Sequence, residues 1–245
     1  MKLNGVKVMI TGGTSGIGRK TVEALLEENA KIIVVGRDQK KLDLLRESCS
    51  LVGVYCCDLA DPNAVLQLAE KLAVEHPDLQ VLINNAAVQY NIRFDDDGSD
   101  PQAIIDELHT NFSAPLLLIR MLLPTLTKQT QSAIINVTTG LALVPKTNSA
   151  VYCGSKGGLR IFTQALRNQL HDTSVRVIEI LPPIVDTPMT AGRGSKKLSP
   201  EKIADEIIGA LRGKKNEVYV GKTKLLYWIS RISPSMARYI INRVG

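Results

Sequence analysis

The sequence predicts an α/β fold: a parallel sheet wound in both directions, with helices covering both faces. Three observations predict it. Short apolar runs rich in β-branched residues recur along the chain. They are near-continuous rather than alternating, as in strands buried on both faces. Segments with helical periodicity separate them. No Gly/Ser-rich linker or internal repeat divides the 245 residues, a length that one α/β domain can reach, so residues 1–245 are expected to form a single domain.

The expected strands lie at 7–10, 31–35, 52–56, 81–83, 133–137, 175–180 and 217–220. The expected helices lie at 18–29, 39–48, 62–75, 101–127 and 152–171. Asp61-Pro62 and Ser199-Pro200 each place a capping side chain before a proline that suits the first helical position. Strands alternating with helices imply right-handed crossovers and a doubly wound sheet. Two stretches are irregular enough to be functional surface loops. One is 89–100, which contains Asp95-Asp96-Asp97-Gly98; the other is 188–199, with Gly192, Gly194, Arg193, Lys196 and Lys197.

Apolar residues make up 44% and charged residues 22%, which excludes a disordered or low-complexity chain. Cys49, Cys56, Cys57 and Cys153 have no CxxC spacing and read as free thiols of a reducing, cytoplasmic compartment. The opening MKLNGVKVMITGG does not read as a signal peptide, and no apolar run is long enough to span a bilayer. His76, His109 and His171 are dispersed, so no metal site is expected. The net charge of +6 is uneven: from Arg193 onward there are twelve Lys or Arg against four Asp or Glu. That excludes a uniformly basic nucleic-acid binder. It leaves a basic C-terminal face that suits an acidic ligand, a phosphate-bearing cofactor or an anionic surface, or that is simply solvated.

Thr11-Gly12-Gly13-Thr14-Ser15-Gly16-Ile17-Gly18 follows the first strand and opens a helix. Glycine allows the tight turn and lets backbone approach a pyrophosphate, and the helix start presents free amides to it. A triphosphatase is disfavoured because GxxxxGK[ST] is absent. At the end of the second strand, Gly36-Arg37-Asp38 places an arginine where the extra phosphate of NADP would sit, so NADP(H) is expected. Asp38 beside it leaves NAD(H) possible. Tyr152 and Lys156 lie four apart on one helical face, and a cation near the phenol lowers its pKa toward use as a general acid or base.

Taken together, these motifs resemble the classical short-chain dehydrogenase/reductase family over nearly the whole chain. Further matches are Asp58, Asn84-Asn85-Ala86-Ala87, Asn111, Asn136-Val137-Thr138-Thr139-Gly140 and Pro182-Pro183-Ile184-Val185-Asp186-Thr187. The resemblance implies a Rossmann-type fold and hydride transfer between a nicotinamide cofactor and a carbonyl or alcohol. It implies a catalytic set of Asn111, Thr139, Tyr152 and Lys156. Tyr152 would exchange the proton. Lys156 would hold the nicotinamide ribose and lower the tyrosine pKa. Asn111 would hold a relay water, and Thr139 would bond the substrate oxygen. Cofactor contacts would come from Gly12, Thr14, Ser15, Gly16, Ile17, Gly18, Arg37, Asp58, Leu59, Asn85, Ala86, Pro182, Val185 and Thr187, together with Tyr152 and Lys156.

Three positions depart from the family pattern: Thr139 for serine, and Ala87 and Pro183 for glycine. The Pro182-Pro183 pair, the context of Tyr152 and the C-terminal SRISPSMARYI are most similar to a sparsely characterised oxidoreductase branch whose members are sometimes named for D-alanyl lipoteichoic acid operons. The resemblance implies a substrate lid at 188–199, a C-terminal extension at 222–245 and a homodimer or homotetramer built on the apolar helices 101–127 and 152–171. The apolar residues of 225–244, Trp228 among them, are expected to be buried against the pocket or a second subunit. Two other readings stand beside the enzyme: a non-catalytic dinucleotide-binding regulator or scaffold, and epimerase or dehydratase chemistry on the same fold.

Overall fold

The computed structural model describes residues 1–95 and 100–244. Seven parallel strands form one sheet: β1 (Lys7–Thr11), β2 (Lys31–Gly36), β3 (Gly53–Cys56), β4 (Val81–Asn84), β5 (Ser132–Val137), β6 (Val175–Leu181) and β7 (Glu217–Tyr219). Their order is β3-β2-β1-β4-β5-β6-β7, so the winding reverses between β1 and β4. Every strand expected from sequence is present. The helices are α1 (Gly16–Glu27), α2 (Gln39–Ser48), α3 (Pro62–Glu75), α4 (Pro101–Leu108), α5 (Ala114–Thr127), α6 (Ala150–Gln169), α7 (Pro200–Arg212), α8 (Lys222–Ile232) and α9 (Pro234–Val244).

The strand alternation divides the core into two layers. Val8, Ile10, Ile32 and Val34 face Val22 and Leu25 of α1 and Ile203, Ile207 and Leu211 of α7. Met9, Ile33 and Val35 face Val65, Leu68 and Leu72 of α3 and Leu118, Leu122 and Leu126 of α5. Asp61 and Ser199 cap α3 and α7 as their sequence context implies, accepting from Asn63 N at 2.8 Å and Lys202 N at 3.3 Å.

The structure refines three expectations. The helix expected at 101–127 is helical throughout but not uniformly α: a π turn at His109–Ser113 joins α4 to α5. Pro115 supplies the reason. It has no N–H to return to the carbonyl of Asn111, four residues earlier, so the α-helical bond at that turn cannot form. The apolar faces offered for dimerisation are partly consumed by the chain's own core, where Leu118, Ile119 and Leu159 are buried. Of the C-terminal apolar residues, Leu226, Ile240 and Ile241 line the cavity, while Trp228, 56% exposed, and Ile232, 82% exposed, are left uncovered by the chain's own described residues. The Asp96-Asp97-Gly98 part of the first loop lies outside the described residues.

A buried charge cluster locks the far side of the sheet. Glu179 on β6 accepts from Arg160 Nη1 at 2.5 Å and Thr138 Oγ1 at 2.6 Å, and Arg160 also donates to the Tyr219 hydroxyl at 3.1 Å. Burial pushes the Glu179 carboxyl up to about 7, against the pull of Arg160. The folded protein therefore holds this proton more tightly than the unfolded chain, and the group's contribution to stability falls as pH rises from the ordinary carboxylate value to about 7. Arg160→Met is expected to remove roughly 3–5 kcal/mol at about pH 8, where the carboxylate is left buried and unpaired, and less at about pH 5.5. Denaturant unfolding at the two pH values measures the difference.

Candidate active site

One cavity of about 910 Å³ runs along the C-terminal ends of the strands, across the point where the winding reverses. Sites in open α/β sheets form there because the loops leave in opposite directions. Its lining extends from Arg37, Asp38, Lys41, Asp58 and Leu59 at one end, past the glycine turn, to Thr139, Tyr152, Lys156 and Thr187 at the other.

Polar ties hold the glycine turn in place. The Thr11 hydroxyl accepts from the amides of Asn85 at 3.0 Å and Ala86 at 3.1 Å, and Asn85 Nδ2 donates to the carbonyls of Thr11 at 2.9 Å and Gly12 at 3.3 Å. The turn is also closed on itself: a methyl on Gly18 would lie 2.1 Å from the Gly12 oxygen. Gly12 and Gly16 have φ of 70° and 52°, which suits glycine. Thr14, Ser15 and Ile17 line the cavity around them. No side chain caps α1, so its first amides are left for an anion.

At the next strand end, Asp38 is engaged locally. It caps α2 through Lys41 N at 3.1 Å and lies 3.7 Å from the Lys41 ammonium. The exposed Arg37 guanidinium has no hydrogen bond or ion pair among the described residues. Lys41, in the first turn of α2, lines the same end and was missed in the sequence.

At the opposite end, Thr139, Tyr152 and Lys156 of the implied catalytic set line one wall of the cavity, and Asn111 is not among the lining residues. Lys156 is 2% exposed and donates to the Val137 carbonyl at 2.9 Å. Burial alone lowers its pKa to about 8. Burial raises the Tyr152 phenol, Cys153 and Glu107 push it the same way, and Thr139 hydrogen bonding and Arg193 draw it down. The expected lowering of Tyr152 by Lys156 is therefore not seen in the protein alone, where desolvation dominates both groups. The Thr139 oxygen accepts from Leu141 N at 3.2 Å. The Asn111 side chain bonds both the amide and the carbonyl of Val88, at 2.9 and 2.8 Å, and donates to Ser155 Oγ at 3.3 Å. It fixes the chain after β4 to α6 rather than reaching freely into the cavity.

Pro182, Val185 and Thr187 close the floor. The carbonyls of Ile184 and Val185 already accept from Leu198 N and Thr190 Oγ1. In segment 188–199, Lys197 is tied to the Thr190 carbonyl at 2.7 Å and to Asp186 at 3.4 Å. Arg193 lines the cavity and reaches the Gln89 carbonyl at 3.4 Å, and its Nη1 is buried without a partner among the described residues. Glu107 was also missed. It lies one turn before Asn111, is 1% exposed, and its Oε2 accepts from Tyr90 N at 3.1 Å. Burial raises its pKa.

The family model for short chain dehydrogenases matches residues 6–198. The chain belongs to the short chain dehydrogenase family. Like its relatives it is an oxidoreductase with a Rossmann fold. The uncharacterized oxidoreductase DltE of Bacillus subtilis is 36% identical to this dehydrogenase over 224 residues, covering 89% of each chain. That agrees with the branch indicated by the C-terminal motifs. The ketoacyl reductase HetN of a Nostoc species is 27% identical, over 99% of this chain and 90% of its own. A short chain dehydrogenase from Burkholderia cenocepacia, solved with NADP, superposes with a TM-score of 0.87 at 27% identity, covering 98% of this chain and 99% of that one. A metagenomic short-chain oxidoreductase solved with NADP gives 0.76 at 25%, covering 89% of this chain and 97% of that one.

Burying the Lys156 ammonium opposes folding of this dehydrogenase. Its folded pKa lies below the unfolded value, so stability from this group rises as pH climbs from about 8 toward the ordinary lysine value. Lys156→Met is expected to raise Tm by several degrees at neutral pH, with the gain shrinking above about pH 9. Thermal scans across that range check it.

Proposed function

We propose that this dehydrogenase moves a hydride between NADP(H) and a carbonyl or secondary alcohol, with Tyr152 exchanging the proton. The observation that carries the reading is one continuous cavity. Uncapped α1 amides and an unpaired Arg37 lie toward one end, and Tyr152 and a buried Lys156 at the other. Two solved relatives at 27% and 25% identity bind NADP in the same fold.

The residues fit such a cofactor. The backbone of Gly12 to Gly18 and the side chains of Thr14 and Ser15 would hold the pyrophosphate. Arg37, with Lys41, would meet the extra phosphate of NADP, while Asp38, which caps α2 and also lines the cavity, leaves NAD(H) possible. Asp58 and Leu59 would border the adenine, and Asn85 and Ala86 the ribose beyond the turn. Lys156 has three donors and gives one to Val137, which leaves two for the nicotinamide ribose. Pro182, Val185 and Thr187 would hold the carboxamide end. When bound, the cofactor supplies the hydride.

The protein supplies the proton. Its raised pKa keeps the Tyr152 phenol protonated at neutral pH, ready to donate to a carbonyl oxygen in reduction. The phenol O–H bond breaks as the new alcohol O–H bond forms. The Thr139 hydroxyl, whose oxygen accepts from Leu141 N and which hydrogen-bonds the Tyr152 phenol, would turn its proton to the same substrate oxygen once a substrate is bound. Lys156, protonated below about pH 8, favours the phenolate once a substrate has entered. The assembly we expect is a homodimer or homotetramer, to which Ile161, 65% exposed on α6, would contribute.

A panel of aldehydes and ketones, with loss of reduced-nicotinamide absorbance as the readout, tests the reading. Tyr152→Phe is expected to lower kcat roughly 10²–10⁴-fold while NADPH affinity stays unchanged. Equal turnover by wild type and variant would overturn the role of Tyr152. NADPH binding without oxidation by any carbonyl would point instead to a non-catalytic dinucleotide binder.

A further inference from the structure

Helices α8 and α9 have two distinct faces. Leu226 of α8 and Ile240 and Ile241 of α9 line the cavity. On the outside, Leu225, Trp228 and Ile232 recur at helical spacing along α8, and Met236 and Tyr239 continue beyond the break at Pro234. Each of these five is more than half exposed, with Leu225 at 63% and Ile232 at 82%. Among the described residues, the other exposed large apolar side chains are spread over α2, α3, α4, α6 and the loops, whereas these five fall within fifteen consecutive positions. Contiguous exposure of this kind marks an interaction surface.

The charge around that surface has one sign. After Glu217 the chain contains Lys222, Lys224, Arg231, Arg238 and Arg243 and no acidic residue. None of the five forms an ion pair among the described residues. Arg231 and Arg243 stack over Tyr227 and Tyr239, at 5.4 and 4.9 Å from the ring centres. Arg231 and Arg238 also line a cleft of about 370 Å³ between α6 and the α8–α9 pair.

We infer that the outer face of α8–α9 docks on a lipid bilayer bearing anionic headgroups. The apolar residues, including the only tryptophan, would enter the headgroup boundary, and Lys224, Arg231, Arg238 and Arg243 would meet lipid phosphates, whereas Lys222 lines the cavity. A second copy of this chain is a poorer occupant. Two-fold packing brings the same patch from each subunit together, and here it would set the cations of one α8–α9 pair against those of the other. The docking is peripheral: no helix among the described residues is long and apolar enough to cross a membrane. This inference does not depend on the identity of the substrate.

The test uses the full-length protein with sedimenting vesicles of phosphatidylcholine alone, or of phosphatidylcholine with phosphatidylglycerol. Binding is expected only to the anionic vesicles and is expected to weaken as salt rises. Trp228 is the sole tryptophan, so a blue shift of its emission reports its entry into the interface directly. Arg231→Ser and Arg238→Ser are each expected to weaken binding roughly fivefold, and Ile232→Ser to reduce both binding and the shift. Thermal unfolding verifies that these surface variants remain folded. Absence of binding to anionic vesicles, or binding unchanged in all three variants, overturns the inference. So does a lipid-free dimer that Ile232→Ser converts to monomer, because a second copy would then own the face.

Discussion

The tie between the ends of β1 and β4 is the contact on which the site depends. The sheet changes its winding direction between these strands, so the loops after them part and leave a crevice. One threonine hydroxyl and one asparagine amide hold its rim: Thr11 receives two amides from the β4 end, and Asn85 binds two carbonyls of the glycine turn. A second polar chain continues inward. Asn84 donates to Asn136 at 2.9 Å, and Asn136 to Thr163 at 2.8 Å, joining β4, β5 and α6. In a core of aliphatic side chains these bonds fix register, because a buried amide without its partner is costly. The anion-ready turn and the Tyr152 helix therefore keep a fixed distance from each other.

The same rigidity forces two unfavourable burials. Lys156 sits inside the protein on a single carbonyl, and Tyr152 sits beside Glu107, with its proton held tightly. Both are displaced from their ordinary pKa values in the direction that desolvation dictates. A core chosen only for stability would replace Lys156 by an aliphatic residue. Its presence is the clearest mark that this wall exists for chemistry.

Much of this was legible in the sequence because it follows from short-range rules. The seven strands announced themselves as β-branched runs, the caps as Asp61-Pro62 and Ser199-Pro200, and the turn as closely spaced glycines after a strand. Other features rest on tertiary context. The π turn at Asn111 was readable in principle from Pro115, but helical periodicity on both sides concealed it. Glu107 and Lys41 carry no motif and matter only through what packs near them. The pKa of Tyr152 could not be foreseen from the Tyr-Lys spacing, since in the folded protein the depth of burial outweighs the neighbouring ammonium. The exposure of Trp228 in the single chain has a different reason. The rule that large apolar residues seek burial describes the average residue, and a helix lining a cavity on one side can leave its other side uncovered.

The account's central claim is that one cavity, fixed by the β1–β4 tie, holds a phosphate-bearing dinucleotide between Arg37 and Lys156. Titration of the wild-type protein with NADPH and with NADH, followed by fluorescence, tests it most directly. Binding of NADPH at least tenfold tighter than NADH, with the gap closed by Arg37→Ala, is the result the account predicts; a charged hydrogen bond to phosphate is worth about that much. Equal affinity for the two cofactors would contradict the role of Arg37, and binding of neither would contradict the claim itself.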